Sequence, residues 1–182
     1  MEYIATELQG VFIIEPKVFN DERGYFFEAW KKEEFEKHVG KVDFVQDNES
    51  KSSFGVLRGL HYQKGEASQA KLVRVIKGRV LDVAVDLHKS SPTFGKYVAV
   101  ELSDENKKQL FIPRGFAHGF LVLSPEAVFT YKVDNVYCPQ SETSIRWNDE
   151  TLGIEWPIEY DKIVTSSKDL KGNSLGEAEV FE

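Results

Sequence analysis

The sequence is short of sulfur, with one cysteine (Cys138) and one methionine (Met1) in 182 residues. A disulfide scaffold needs paired cysteines, so that class is excluded within the chain. Long apolar runs are missing too. The stretch 120–123 is strand-sized, far below the roughly 18 residues of a membrane helix, so no membrane span is expected. The opening Met-Glu-Tyr-Ile-Ala-Thr-Glu places no basic stretch before an apolar one, so no signal peptide is expected. Dense basic clusters are also lacking. Lys31-Lys32 and Lys107-Lys108 are isolated pairs in a chain of net charge −7, which argues against nucleic acid as the main partner. A handful of convergent cations could still hold a small anion. The expectation is a soluble, cytoplasmic protein.

What the chain does have is aromatic residues: 13 Phe, 7 Tyr and 3 Trp, too many for a chain that never packs. The length fits one domain spanning 1–182, with no repeat, linker or internal boundary. From Leu170 the alternation fades and the residues turn polar and acidic, so 170–182 is expected to be a surface tail.

The patterning is that of strands. Leu81, Val83, Val85 and Leu87 alternate with Val80, Asp82, Ala84 and Asp86, giving one apolar face. Residues 71–77 alternate as well, and Lys77-Gly78-Arg79 predicts a tight hairpin between the two runs. Further short runs occupy 11–15, 25–30, 44–46, 56–63, 97–102, 110–112, 116–123 and 128–133, separated by turn signals such as Ser90-Ser91-Pro92. Only 32–39 reads as helical within the first hundred residues. Many short strands at roughly 8–12-residue spacing predict an all-β sandwich or barrel with a few short peripheral helices.

Of the four histidines, His38 lies in the charged helix and His88 in a polar turn, and both read as solvated. His61 and His118 stand inside apolar strands. Either one alone reads as a core histidine satisfied by backbone groups. Together, with Arg58 and Lys71 near the first, they read as a site, because a core does not collect cations without anions. His61-x-Gln63, Lys71 and Gly78 resemble the first cupin motif, and Pro113-x-Gly115-x-x-His118 resembles the second. The resemblance implies a jelly-roll β-barrel. Only two of the usual four metal-ligand positions are kept, since Gln63 replaces a His and Lys71 a Glu. An ammonium has no lone pair to offer, so no metal is expected. An imidazole, a lysine and a second histidine suit proton abstraction beside a carbonyl, where the enolate oxygen needs cationic support. Tyr131 shares strand parity with Phe129 and Val133; it reads either as a buried structural tyrosine or as an acid on the opposite face.

The strings Glu-Pro-Lys-Val-Phe-Asn-Asp-Glu-Arg-Gly-Tyr-Phe-Phe-Glu (15–28), Phe-Val-Gln-Asp-Asn (44–48) and Val-Leu-Arg-Gly-Leu-His-Tyr-Gln (56–63) resemble the dTDP-4-dehydrorhamnose 3,5-epimerase family. So do Lys-Leu-Val-Arg-Val (71–75), Asp-Val-Ala-Val-Asp (82–86), Pro-Arg-Gly-Phe-Ala-His-Gly-Phe (113–120) and Trp-Asn-Asp-Glu-Thr-Leu-Gly-Ile-Glu-Trp-Pro (147–157). The resemblance implies that His61 is the base for C5 and C3 of dTDP-4-dehydro-6-deoxy-D-glucose. It implies Lys71 as enolate support, with His118 beside the same sugar, Asp169 as orienter of His61 and Tyr131 as the acid. It further assigns Arg23, Arg58 and Lys168 to the diphosphate. Glu28, Gln46, Asp47, Asn48 and Glu142 would hold nucleotide and sugar, and Phe19 and Tyr137 would stack on thymine. No cofactor is implied, and the family is a homodimer with exchanged N-terminal strands. Arg58 and His61 differ in strand parity, so a regular strand would separate them; a bulge at Gly59 would join them. The rival readings are a mono-epimerase or ketoisomerase acting on a related dTDP-4-keto sugar, a metal-dependent cupin oxygenase, and a non-catalytic sugar-nucleotide-binding cupin.

Overall fold

Alternating apolar residues fold here into two facing sheets. The computed structural model describes the whole chain, Met1–Glu182. Its strands are β1 (Glu2–Ala5), β2 (Phe12–Glu15), β3 (Phe19–Asp21), β4 (Gly24–Phe26), β5 (Gln46–Ser53), β6 (Leu57–Gln63), β7 (Lys71–Lys77), β8 (Arg79–Asp86), β9 (Tyr97–Ser103), β10 (Gln109–Ile112), β11 (Phe116–Val122), β12 (Glu126–Val133) and β13 (Glu142–Ser144). One sheet runs β1-β2-β10-β7-β12-β5 and the other β13-β6-β11-β8-β9, while β3 and β4 form a separate ribbon. This is the expected β architecture. The single α-helix, α1 (Lys32–His38), matches its prediction. Glu33 and Glu34 open it and Lys37 and His38 close it, as the helix dipole favours.

The inward faces of the sheets meet in a cluster that includes Val73, Val75, Val80, Ala84, Leu102, Leu110, Val122 and Phe129. Each such side chain contributes on the order of 1.5–3 kcal/mol by leaving water. The outer face of the six-stranded sheet is covered by α1, whose Phe35 is fully buried and meets the Phe111 ring edge-on at 5.1 Å. The outer face of the other sheet carries Val83, Val85, Leu87, Ala117 and Leu121, packed under Ile145, Leu152, Ile154, Trp156 and Leu175. Strand β8 is therefore buried on both faces.

Three expectations are corrected. Lys77-Gly78-Arg79 is not a paired hairpin, because β7 pairs with β10 and β12 while β8 pairs with β11 and β9. Gly78 is a corner that carries the chain from one sheet to the other. Its φ is +81°, and a Cβ there would lie 2.1 Å from the Glu126 carbonyl oxygen. The residues after Leu170 are not a free tail. Leu175 is buried, Arg146 N–H donates to the Asn173 carbonyl, and Phe181 is hydrogen-bonded to Leu87 and Lys89. Their polar residues make caps and bridges instead of solvated coil. His88, expected to be solvated, is half-buried: its Nδ1 lies 2.8 Å from Asp86 Oδ1 and its ring abuts Phe116 and Phe181.

Register fixes the parity problem in β6. His61 faces His118 and Arg58 faces Phe120, so three steps along β6 match two along β11. The extra residue is a bulge that turns both side chains toward one cavity. Gly59, at φ +120°, permits it; a Cβ there would sit 2.6 Å from Gly119 Cα and 2.7 Å from the His118 carbonyl oxygen. Gly59→Ala is expected to cost more than about 4 kcal/mol or to prevent folding. Gly40→Ala, also at positive φ (+117°) but in open space, should cost only about 1–3 kcal/mol, both read by urea unfolding. Equal losses would refute a steric requirement for glycine at the bulge.

Candidate active site

Between the sheets lies a cavity of about 250 Å³, lined by residues from both. From β6 come Arg58, His61 and Gln63, from β7 Lys71, from β11 His118 and Phe120, and from β12 Phe129 and Tyr131. Tyr137 and Glu142 stand at its mouth, and Ser50 of β5 completes one wall.

His61 Nε2 is hydrogen-bonded to Oδ1 of Asp169, a carboxylate 3% exposed. The contact spans 108 positions and depends on the C-terminal segment packing against β6. The carboxylate keeps the proton on Nε2 and leaves Nδ1 as the free basic nitrogen. Burial works to raise the Asp169 carboxyl, but the His61 ring, Ser166 and the Gly59 backbone amide outweigh it and hold it below the usual carboxylate range.

Lys71 is 7% exposed and forms no ion pair; its Nζ has one hydrogen-bond partner, the His61 carbonyl oxygen at 3.4 Å. Burial drives its pKa down to about 8, against the opposing pull of Asp82 and Glu142. At neutral pH it remains an ammonium with its hydrogens largely unspent.

His118 Nε2 lies 3.1 and 3.0 Å from the two carboxylate oxygens of Asp82, and both residues are buried. Burial lowers the His118 pKa more than Asp82 restores it, and the Lys71 and His61 charges lower it further. His118 is thus a neutral imidazole, and its neighbour supplies the charge.

Tyr131 packs against the inner core beside Phe129. Burial and Glu142 raise its phenol pKa while Arg58 opposes them, so it stays protonated and able to donate. Arg58 Nε donates to Ser52 Oγ at 3.0 Å. Glu142 accepts from the Tyr137 hydroxyl at 2.5 Å and is also paired with Lys168. Burial would raise the Glu142 carboxyl, yet those two donors bring it below its ordinary value.

The structure therefore gathers His61, Lys71, His118, Tyr131, Arg58, Tyr137 and Glu142, with Asp169 and Lys168 bound to two of them. Gln46 and Asn48 are joined to the mouth, since Gln46 Oε1 accepts from Tyr137 N–H at 3.2 Å and its Nε2 donates to Asn48 Oδ1 at 2.8 Å. Asp47 is not brought in. It alternates to the outer face of β5, where it pairs with Lys132 at 2.6 Å and borders a separate depression. Phe19 and Arg23 lie on the exposed β3–β4 ribbon, and Glu28 is exposed just beyond it; none lines this cavity. Asp82 is the residue that the sequence reading missed. An aspartate inside an apolar strand was its signal, since a buried carboxylate needs a partner.

The cavity does not fit a divalent ion. Lys71 offers a cation, and Gln63 spends both amide protons on the Ala67 and Val136 carbonyls. No group of three or more His, Cys, Asp or Glu side chains is placed to hold a metal. The arrangement can instead remove a proton from carbon at His61, steady an oxyanion at Lys71 and return a proton from Tyr131.

The depressed Lys71 pKa has a testable consequence for stability. Between pH 8 and 10.5 the unfolded chain holds this proton and the folded chain has lost it, so stability rises with pH across that window. The gain from pH 7.5 to 9.5 is expected to be about 2 kcal/mol, measured as the wild-type change minus that of Lys71→Met in urea unfolding. Identical slopes for the two proteins would contradict it.

A family model described as dTDP-4-dehydrorhamnose 3,5-epimerase matches residues 5–177. The chain is 56% identical over 182 residues to a dTDP-4-dehydrorhamnose 3,5-epimerase of Shigella flexneri, covering 100% of this chain and 99% of the relative. Among solved structures, that of dTDP-4-dehydrorhamnose 3,5-epimerase from Elizabethkingia anophelis NUHP1 superposes with a TM-score of 0.94 at 53% identity, covering 97% of each chain. The dTDP-6-deoxy-D-glucose-3,5-epimerase of Legionella pneumophila Philadelphia 1, solved in complex with dTDP-4-keto-L-rhamnose, gives a TM-score of 0.94 at 48% identity over 98% of this chain and 94% of that one. With the cupin-type β fold and this cavity, these likenesses make the chain an isomerase that belongs to the dTDP-4-dehydrorhamnose 3,5-epimerase family.

Proposed function

We propose that this protein inverts C5 and C3 of dTDP-4-dehydro-6-deoxy-D-glucose, giving dTDP-4-dehydro-L-rhamnose, without a cofactor. The observation that carries this reading is a carboxylate-bound imidazole and an unpaired ammonium lining one cavity. His61 Nδ1 takes the proton from C5, and the C–H electron pair moves into an enolate whose charge rests on O4. Lys71 donates to O4, which is where a preorganised cation lowers the barrier most. The Tyr131 hydroxyl then returns a proton to C5 from the opposite face, and the electrons reform the ketone. Solvent takes the proton from His61 and restores the one on Tyr131. Both carbons flank the same carbonyl, so one oxyanion group serves C3 by the same steps.

Arg58 and Lys168 are proposed to meet the diphosphate, where charge-assisted hydrogen bonds to phosphate oxygens are strong. Gln46, Asn48 and Glu142 would hold sugar and nucleotide, and Tyr137 would stack on thymine. Arg23, Phe19 and Glu28 need another route to a cavity. Phe19, Tyr25 and Phe26 are 53%, 57% and 67% exposed, a surface that the mouth of a second copy would cover. We therefore propose a homodimer with exchanged N-terminal segments, each lending these residues to its partner. A nucleotide-sugar substrate and a lone thiol at Cys138 favour a cytoplasmic setting.

The test is incubation with the 4-keto sugar nucleotide in heavy water. Wild type is expected to deliver product carrying deuterium at both C3 and C5, and His61→Asn to abolish wash-in at both. Tyr131→Phe should slow net inversion more than wash-in. Normal exchange by His61→Asn would eliminate it as the shared base, and equal loss of both steps in Tyr131→Phe would remove the tyrosine from the proton path.

A further inference from the structure

Gln63 occupies a metal-ligand position of the cupin motif, yet its side chain is committed to backbone. Its Nε2 donates to the Ala67 carbonyl at 2.7 Å and to the Val136 carbonyl at 3.2 Å, and its Oε1 accepts from Cys138 N–H at 2.7 Å. Only one orientation of the amide satisfies all three contacts. Two of them bracket Tyr137, whose own N–H is taken by Gln46. The flanking residues are strapped in the same manner. Gln69 Nε2 donates to the Asn135 carbonyl at 2.7 Å, and Asp134 Oδ1 accepts from Ala70 N–H at 2.7 Å. The loop 134–138 is thus tied down mainly by side-chain amides from β5, β6 and the 65–70 segment, while the Tyr137 ring stays 52% exposed at the mouth. A loop that needed only to cover apolar surface would not require a buried glutamine with both donors spent on it.

We propose that Gln63 is a positioning residue that fixes the Tyr137 loop, presenting the ring as a rigid platform at the nucleotide end of the cavity. The consequence for binding rests on the reading of Tyr137 as a nucleotide contact; the restraint itself does not. Where a metal-binding cupin directs this position inward to an ion, this chain directs it sideways to its own backbone.

Three measurements on Gln63→Met separate these claims, with Gln63→Glu, which keeps the acceptor and loses both donors, as the second variant if the first misfolds. In the ligand-free protein, amide exchange across 134–141 should accelerate by about tenfold or more while the β8 and β11 amides keep their protection. Unchanged exchange in that loop would overturn the proposal. Titration with dTDP then reads the consequence. Gln63→Met and Tyr137→Ala should each weaken binding by about tenfold, and the double variant should bind no worse than Tyr137→Ala alone. In turnover, Gln63→Met should raise KM with kcat kept within about threefold. Additive losses would overturn the claim that Gln63 acts through Tyr137. Faster exchange together with normal dTDP binding by Tyr137→Ala would instead overturn the nucleotide role of Tyr137 and leave the restraint supported.

Discussion

The constraint on which the rest of this molecule depends is an ammonium ion held inside a barrel without a carboxylate against it. Lys71 loses most of its hydration and receives in return one carbonyl and the more distant fields of Asp82 and Glu142. A buried charge so poorly compensated is expensive for the fold. The expense makes chemical sense if the ammonium is kept for a charge that develops only during reaction. A close carboxylate would spend the same hydrogens in the ground state and leave nothing for the oxyanion. The neighbouring groups agree with this. His118 is kept neutral by burial, so its pairing with Asp82 adds no second cation beside Lys71.

The fold holds this arrangement by drawing on both sheets and on the chain's end. Lys71 and Tyr131 come from one sheet, His61 and His118 from the other, so the cavity exists only while the sheets face each other. The bulge at Gly59 swings Arg58 to the side of His61, and its amide reaches Asp169 as well. Asp169 arrives from a segment pinned by Ile145↔Asn173 and His88↔Phe181 bridges, which ties the C-terminal region to His61 instead of leaving it an appendage.

Much of this was legible in the sequence, and the failures have physical reasons. Strands whose two faces differ announced themselves by alternation, as in β7 and β12. Strand β5 did not, because Gln-Asp-Asn-Glu-Ser-Lys-Ser-Ser is polar on both faces: one meets the solvent side and the other lines a polar cavity. Period-two patterning cannot tell a hairpin from a sheet-switching corner, and Gly78 serves either, so pairing of β7 with β8 was misread. The His61–Lys71–His118 constellation was readable because charged and titratable groups in apolar strands require explanation. Asp82, the hydrogen-bond partner of His118, obeyed the same rule and went unread. The side of the strand on which Arg58 falls depends on one inserted residue, which sequence spacing does not reveal. Arg23, Phe19 and Glu28 fall outside their own chain's cavity, and only the proposed exchange with a second copy would bring them to one.

The most direct test of the central claim is the titration of Lys71 itself. Lysine side chains labelled with carbon-13 at the ε position would be followed by NMR from pH 6 to 12, with the Lys71 signal assigned by its loss in Lys71→Met. The account predicts a midpoint near pH 8, well below the other lysines. A midpoint near the ordinary 10.5 would mean that the ammonium is already neutralised or solvated, and would contradict the role assigned to it.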